Sequence, residues 1–251
     1  MDNSVSSNAR DSKACTWSFR LAIAGVILIV IGFVGARSGL SPMIAMLLLS
    51  IGSLVLIIAA VTGAIGLIRS GGSGGGTPAG LVWGAIALGL AAVINAGLMM
   101  GGGGAPIHDI STDTVNPPQF IAVAELRGPG DNPVEYAGQE TAQMQADAYP
   151  DIETIVLLDP RSFVFATALD VAEDMGWDIV ASDREEGRIE ATATTPFVGF
   201  KDDIVIRVSA ENAETHVDIR SKSRIGKGDM GVNAGRIRDF SARLIAAANP
   251  Q

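Results

Sequence analysis

Sulfur and imidazole are nearly missing from this chain: 251 residues contain one cysteine, Cys15, and two histidines, His108 and His216. One cysteine permits no intrachain disulfide, and one thiol with two imidazoles cannot furnish the four ligands of a structural zinc site. The acids show no calcium-loop spacing. Ser221 and Ser223 lie on the strand face opposite His216, which gives nucleophilic catalysis little support. The glycines between Gly71 and Gly76 are not followed by the Gly-Lys-Ser/Thr ending of a phosphate loop, so this stretch reads as a flexible linker. No cofactor is expected, although Asp202 leaves a magnesium site open.

Charge is the second absence. None occurs from Leu21 to Val34, from Pro42 to Ile68, or from Gly80 to Met100. Trp17 and Phe19 extend the first run, and Arg20 can reach the headgroups with its guanidinium. The pattern predicts a short tail over 1–16 and three transmembrane helices over about 17–36, 42–68 and 80–100. Val34-Gly35-Ala36 resembles a signal cleavage site, but the long leader and two further spans favour an uncleaved anchor. Arg10, Lys13, Arg20 and Arg69 flank the spans on one side against Arg37 on the other, which places the N terminus in the cytoplasm. Three crossings then put the rest of the chain outside. The expected location is the bacterial inner membrane, multi-pass, with a periplasmic C-terminal domain and the lipid bilayer as a partner.

Residues 1–106 carry Arg10, Lys13, Arg20, Arg37 and Arg69 against Asp2 and Asp11, a formal +3; with −9 over the whole chain, residues 107–251 hold −12. A surface that acidic repels phosphate backbones, so nucleic acid is excluded as an expected partner, while a protein partner or a small ligand stays open. Residues 101–135 are rich in glycine and proline and read as a linker and extended arm. Residues 136–251 read as one α+β domain: a polar helix over 136–148, a strand over 152–158, and a helix over 161–175 with Asp159 placed to cap it. Strands follow over 177–181, 188–195, 203–209 and 215–223, then a helix from about Val232. The predicted fold is an antiparallel sheet in the order strand, helix, four strands, helix, with the helices on one face.

Two stretches are denser in polar residues than a core requires. One is Thr195-Pro196-Phe197-Val198-Gly199-Phe200-Lys201-Asp202-Asp203, the other runs from Arg220-Ser221-Lys222-Ser223-Arg224 through Gly226, Asp229, Gly231 and Asn233 to Arg236. Here the chain resembles the domain of unknown function 1499 family, over about residues 110–247. That family's pattern combines an aromatic and a double aspartate at a strand start with an Arg-Ser-x-Ser-Arg-x-Gly-x-x-Asp-x-Gly-x-Asn-x-x-Arg run. Family members often carry a cysteine-containing segment at the domain start; Asp109-Ile110-Ser111-Thr112-Asp113 has none. The element order is also similar to that of TATA-binding-protein-like folds, a likeness that carries no function.

Adjacent Asp202 and Asp203 point to opposite strand faces and cannot act as one close carboxylate pair unless the strand bulges. Arg220, Lys222 and Arg224 share a face with His216 and Asp218. This cationic stripe either holds a carboxylate or phosphate, or is neutralised by Asp203 and neighbouring acids. The candidate polar cluster is therefore Asp202, Asp203, Arg220, Ser223, Arg224, Asp229, Asn233 and Arg236, with no catalytic residue assigned. A single structural knot of Arg220, Arg224, Asp229, Asn233 and Arg236, with Asp202 or Asp203 as countercharge, is the economical arrangement. The function expected is a membrane-anchored envelope protein whose acidic domain binds a partner. The alternatives are a periplasmic hydrolase or lyase using Asp202 or Asp229 with Arg220 or Arg224, and a subunit of a larger membrane complex.

Overall fold

The structure is a computed structural model that describes residues 4–69, 89–91, 104–195 and 198–248. It divides into two compact units, residues 1–100 and residues 101–195 with 200–251. The first is built on helices α1 (Ser4–Arg37) and α2 (Pro42–Arg69). Thr16–Arg37 and Pro42–Gly66 are long and apolar enough to cross a membrane. At about 1.5 Å per residue each exceeds the ~30 Å hydrocarbon core. Helix α1 starts well before the expected span, so the supposed tail is largely helical: its Ala, Arg, Lys and Ser residues tolerate a helix that the apolar segment already nucleates. The third expected span lies outside the described residues except for 89–91, which are helical, with Ala91 buried against Ala22, Leu56 and Ala59.

Small residues bring α1 and α2 together. A Cβ on Gly25 would stand 2.9 Å from the Gly52 carbonyl oxygen, and one on Gly52 would stand 2.7 Å from Ile29 Cγ1. About two turns further along α1, a Cβ on Gly32 would lie 3.1 Å from the Ala45 carbonyl oxygen. Near the other end, Ser18 Oγ donates to the Ala59 carbonyl at 2.7 Å. The outer faces present Ile27, Val30, Val34, Leu47, Leu54 and Val61, which is how helices pack when lipid rather than water surrounds them. Gly52→Leu is expected to cost about 1–3 kcal/mol by overpacking. Thermal denaturation in detergent checks this, with Ile58→Leu on the exposed face leaving the midpoint unchanged.

The second unit contains β1 (Asp109–Ser111), α3 (Gln139–Ala148), β2 (Ile155–Leu157), α4 (Arg161–Asp174), β3 (Asp178–Asp183), β4 (Arg188–Thr194), β5 (Lys201–Glu211), β6 (Glu214–Ser223) and α5 (Val232–Ala248). Strands β3 to β6 form the expected meander in the sheet order β1-β6-β5-β4-β3, and β2 also pairs with β6. All pairings are antiparallel, β1 against Arg220–Lys222 and β2 against Thr215–Val217. Ile189, Ile204, Ile206, Val217 and Ile219 on one sheet face meet Phe165, Ile237, Phe240 and Leu244 of α4 and α5. Trp177 closes the core by stacking on Phe240 at 5.7 Å between centroids.

Three details depart from expectation. Asp159 does not cap α4: Pro160 occupies that position without a side-chain cap, because its own extended ψ of 139° ends the preceding segment. The 101–135 stretch is not only a linker, for Asp109–Ser111 adds a strand to the sheet. Gln145 of α3 then substitutes for a further strand on its free edge, accepting from Ser111 N–H at 3.0 Å and donating to Ser111 O at 2.6 Å. Beyond β1 the arm crosses the sheet face opposite α4 and α5, where Phe120 and Val123 pack on Val205 and a 3₁₀ turn spans Val123–Leu126. Both sheet faces are therefore covered, one by apolar helices and the other by an arm over charged residues.

Candidate functional site

Strand alternation sends Asp202 to the helix side and Asp203 to the arm side, and each heads a separate network. On the helix side Arg236, one turn into α5, donates to Asp202 Oδ2 at 2.7 Å and to Ser221 Oγ at 2.8 Å, and also bonds Asn233 Oδ1. Asn233 donates through Nδ2 to Ser223 Oγ at 2.9 Å and to the His108 carbonyl at 3.2 Å. Asp229 accepts from the amides of Gly231 at 3.0 Å and Asn233 at 2.5 Å, holding the chain where α5 begins. Burial pushes the Asp229 carboxyl above its ordinary value despite those two hydrogen bonds, and neighbouring Asp202 pushes the same way.

On the arm side the acid–base pairs are more deeply buried. Asp203 meets Arg224 side-on, with Nε and Nη2 at 3.0 and 2.8 Å from its oxygens, and also takes Arg127 Nε at 2.8 Å and Thr192 Oγ1 at 2.8 Å. Arg220 forks onto both oxygens of Asp109 at 2.8 Å, and Lys222 Nζ stands 3.0 Å from the same carboxylate. Phe120 and Tyr136 flank the Arg220 guanidinium at 4.7 and 5.3 Å. Burial and the Asp109 charge raise the Tyr136 phenol to about 12. Burial pulls the Lys222 ammonium below its ordinary value, against the opposing pull of Asp109.

Four cations here share two carboxylates, and backbone carbonyls make up the difference. Arg220 donates to Pro118 O and Val134 O, Lys222 to Glu135 O, Arg224 to Leu126 O and Arg127 to Asn132 O. Every one of those acceptors belongs to the arm, as does Arg127 itself, which reaches the sheet at Asp203 and the Lys222 carbonyl, so the charged layer fastens the arm to the sheet. Glu190 works the same way with opposite sign: fully buried, its Oε2 accepts from the amides of Ile121 and Val123 at 3.0 Å. Nearer the β2 end, Arg207 bridges Asp113 at 2.9 Å and Asp218 at 2.7 Å. Burial pushes the Asp113 carboxyl up, but the amides of Asn116 and Val115 and the Arg207 guanidinium leave it below its ordinary value.

The expected single knot is thus two networks divided by the sheet. Asp202, Ser223, Asp229, Asn233 and Arg236 gather on the helix side; Asp203, Arg220 and Arg224 lie on the arm side. Arg220 takes its countercharge from Asp109, not from Asp202 or Asp203. The same division keeps Asp202 and Asp229 away from Arg220 and Arg224, the combination that acid–base chemistry would need. Asp109, Arg127, Glu190 and Thr192 belong to the arm-side layer without any sequence signal having marked them. The one available hint was Asp109-Ile110-Ser111, a polar-apolar-polar alternation too short to read as a strand. Among the described residues, no three of His, Cys, Asp and Glu converge as metal ligands.

A family model described as protein of unknown function (DUF1499) matches residues 109–244. The match opens on the carboxylate that holds Arg220 and closes on Leu244, a fully buried core residue of α5. No curated protein matches the chain.

Proposed function

The chain belongs to the DUF1499 family, and from that premise we propose a multi-pass membrane protein whose acidic domain serves as an interaction module rather than an enzyme. The observation that carries this reading is that the charged groups of the polar cluster find their partners within the protein, although the buried Tyr136 hydroxyl beside them does not. All three side-chain nitrogens of Arg220 and of Arg224 bond protein oxygens, and both oxygens of Asp229 accept backbone amides. Groups spent on holding the fold are not available to a substrate. The two apolar helices support the anchor, and the flanking arginines and lysine support a cytoplasmic N terminus with the acidic domain on the outer side of a bacterial inner membrane.

The partner class that fits is a second protein. Val156 on β2, at the edge of the sheet, and Leu158 just after the strand, 82% exposed, are apolar side chains open to solvent. Two measurements test the reading. The chain should stay in the membrane through an alkaline carbonate wash, and a reporter that works only after export should be active when fused after Gln251; activity there of a reporter that works only in the cytoplasm overturns the orientation. Purified in mild detergent, the intact chain should retain a stoichiometric protein that Leu158→Glu loses. Retention by both forms removes Leu158 from the interface.

A further inference from the structure

The loop between β6 and α5 lies beside the point where the chain enters its C-terminal domain. Asp229 N–H donates to Ile107 O at 3.3 Å, and His108 Nδ1 stands 3.2 Å from Lys227 O. Gly104 is pressed against the same loop: a Cβ there would lie 2.4 Å from Gly231 N and 2.5 Å from the Tyr149 hydroxyl. Four Cα-to-Cα steps separate Gly104 from Met100, the end of the third apolar stretch. Fully extended, those four steps reach at most about 14 Å, about twice the ~5–8 Å depth of one headgroup layer. This loop cannot be far from the bilayer if that stretch spans it.

The side chains at this tip suit such a place. Gly226, Lys227, Gly228, Met230 and Val232 are exposed, as is Pro106 next to them. Asp229, the one acid in the loop, turns its carboxylate inward onto the amides of α5. The loop therefore offers two apolar side chains and a single cation in a domain that is otherwise strongly acidic. Met230 sits at φ 54°, a left-handed position that glycine would occupy without cost. A methionine held there, 49% exposed, is an apolar group presented outward by a strained backbone.

We propose that the Gly226–Val232 loop is a membrane-contacting tip: Met230 and Val232 enter the boundary between headgroups and acyl chains, and Lys227 meets anionic headgroups. This rests on the membrane-anchored reading above. Within the unit the β3–β4 turn lies at the opposite end of the sheet from this loop, since Ser223 pairs with Asp202 at one end and Arg188 with Arg207 toward the other.

The test uses the full chain with Cys15→Ser, carrying either Met230→Cys or Glu185→Cys labelled with an environment-sensitive fluorophore. Each is reconstituted in phosphatidylethanolamine and phosphatidylglycerol vesicles, with and without brominated acyl chains. Bromine should quench the label at position 230 and leave that at 185 unchanged, and Lys227→Gln should weaken the quenching in anionic vesicles. Equal emission from both labels in a chain that resists carbonate extraction overturns the tip while leaving the anchor standing. Extraction by carbonate overturns both.

Discussion

Asp109→Ala is expected to be the most damaging single substitution in the C-terminal unit, lowering its stability by roughly 3–5 kcal/mol, because it strands buried charge without a partner. Arg220 is fully buried and Lys222 nearly so, and Asp109 is the carboxylate on which both converge. The two cations respond differently to its loss. Lys222 already has a lowered pKa through burial, and without Asp109 it can fold neutral. Its folded pKa then falls further below the unfolded value, so the unfolded state binds more protons between the two, and the variant gains stability as pH rises through that window. Arg220 has no such escape, since a guanidinium keeps its proton at any pH a protein survives. The deficit should therefore narrow but not close on going to alkaline pH. Adding Arg220→Met to Asp109→Ala should recover more stability than adding Lys222→Met, measured by thermal denaturation of the full chain in detergent. Equal recovery by the two would show that the arginine is not the stranded charge.

Residues with a period were legible in the sequence, and residues fixed by a distant partner were not. The alternation of Ile204, Ile206 and Val208 and of Val217 and Ile219 gave β5, β6 and their buried face, and Ile237, Phe240 and Leu244 gave the inner stripe of α5. The adjacency of Asp202 and Asp203 was enough to place them on opposite faces, because strand geometry is local. The arm-side layer escaped because nothing local defines it. Asp109 meets Arg220 across more than a hundred residues, and Arg127 meets Asp203 across more than seventy. An arm without helix or strand period, rich in proline, reads as linker when its carbonyl oxygens cannot be seen to point at guanidinium groups. Reading the run from Arg220 to Arg236 as one knot failed for a related reason: Arg220, Lys222 and Arg224 leave the strand on one side, while the loop and α5 that follow pack on the other.

Arg224→Ala decides whether the arm-side cations serve the fold or a ligand. Its guanidinium forks onto Asp203, reaches Thr192 Oγ1 at 3.3 Å and ties down Leu126 O at 3.1 Å, so removal unfastens the 3₁₀ turn as well as the acid. Arg127 remains on Asp203 and keeps the carboxylate from being wholly stranded, which sets the expected loss near the lower end of the range for a broken buried pair, about 3 kcal/mol. For a unit of this size that is a fall of roughly 10 °C in thermal midpoint. Arg238 supplies the contrast: it forks onto Asp151 at 2.6 and 2.7 Å, geometry as good as that of Arg224, but both side chains are about half exposed. Water screens that pair, and Arg238→Ala should cost no more than about 1 kcal/mol. A ligand-binding arginine would behave in the opposite way to Arg224 as described, leaving the midpoint unchanged or raising it when removed. An unchanged midpoint for Arg224→Ala would therefore return the arm-side cations to the list of ligand-binding groups and undo the argument that the fold has already spent them.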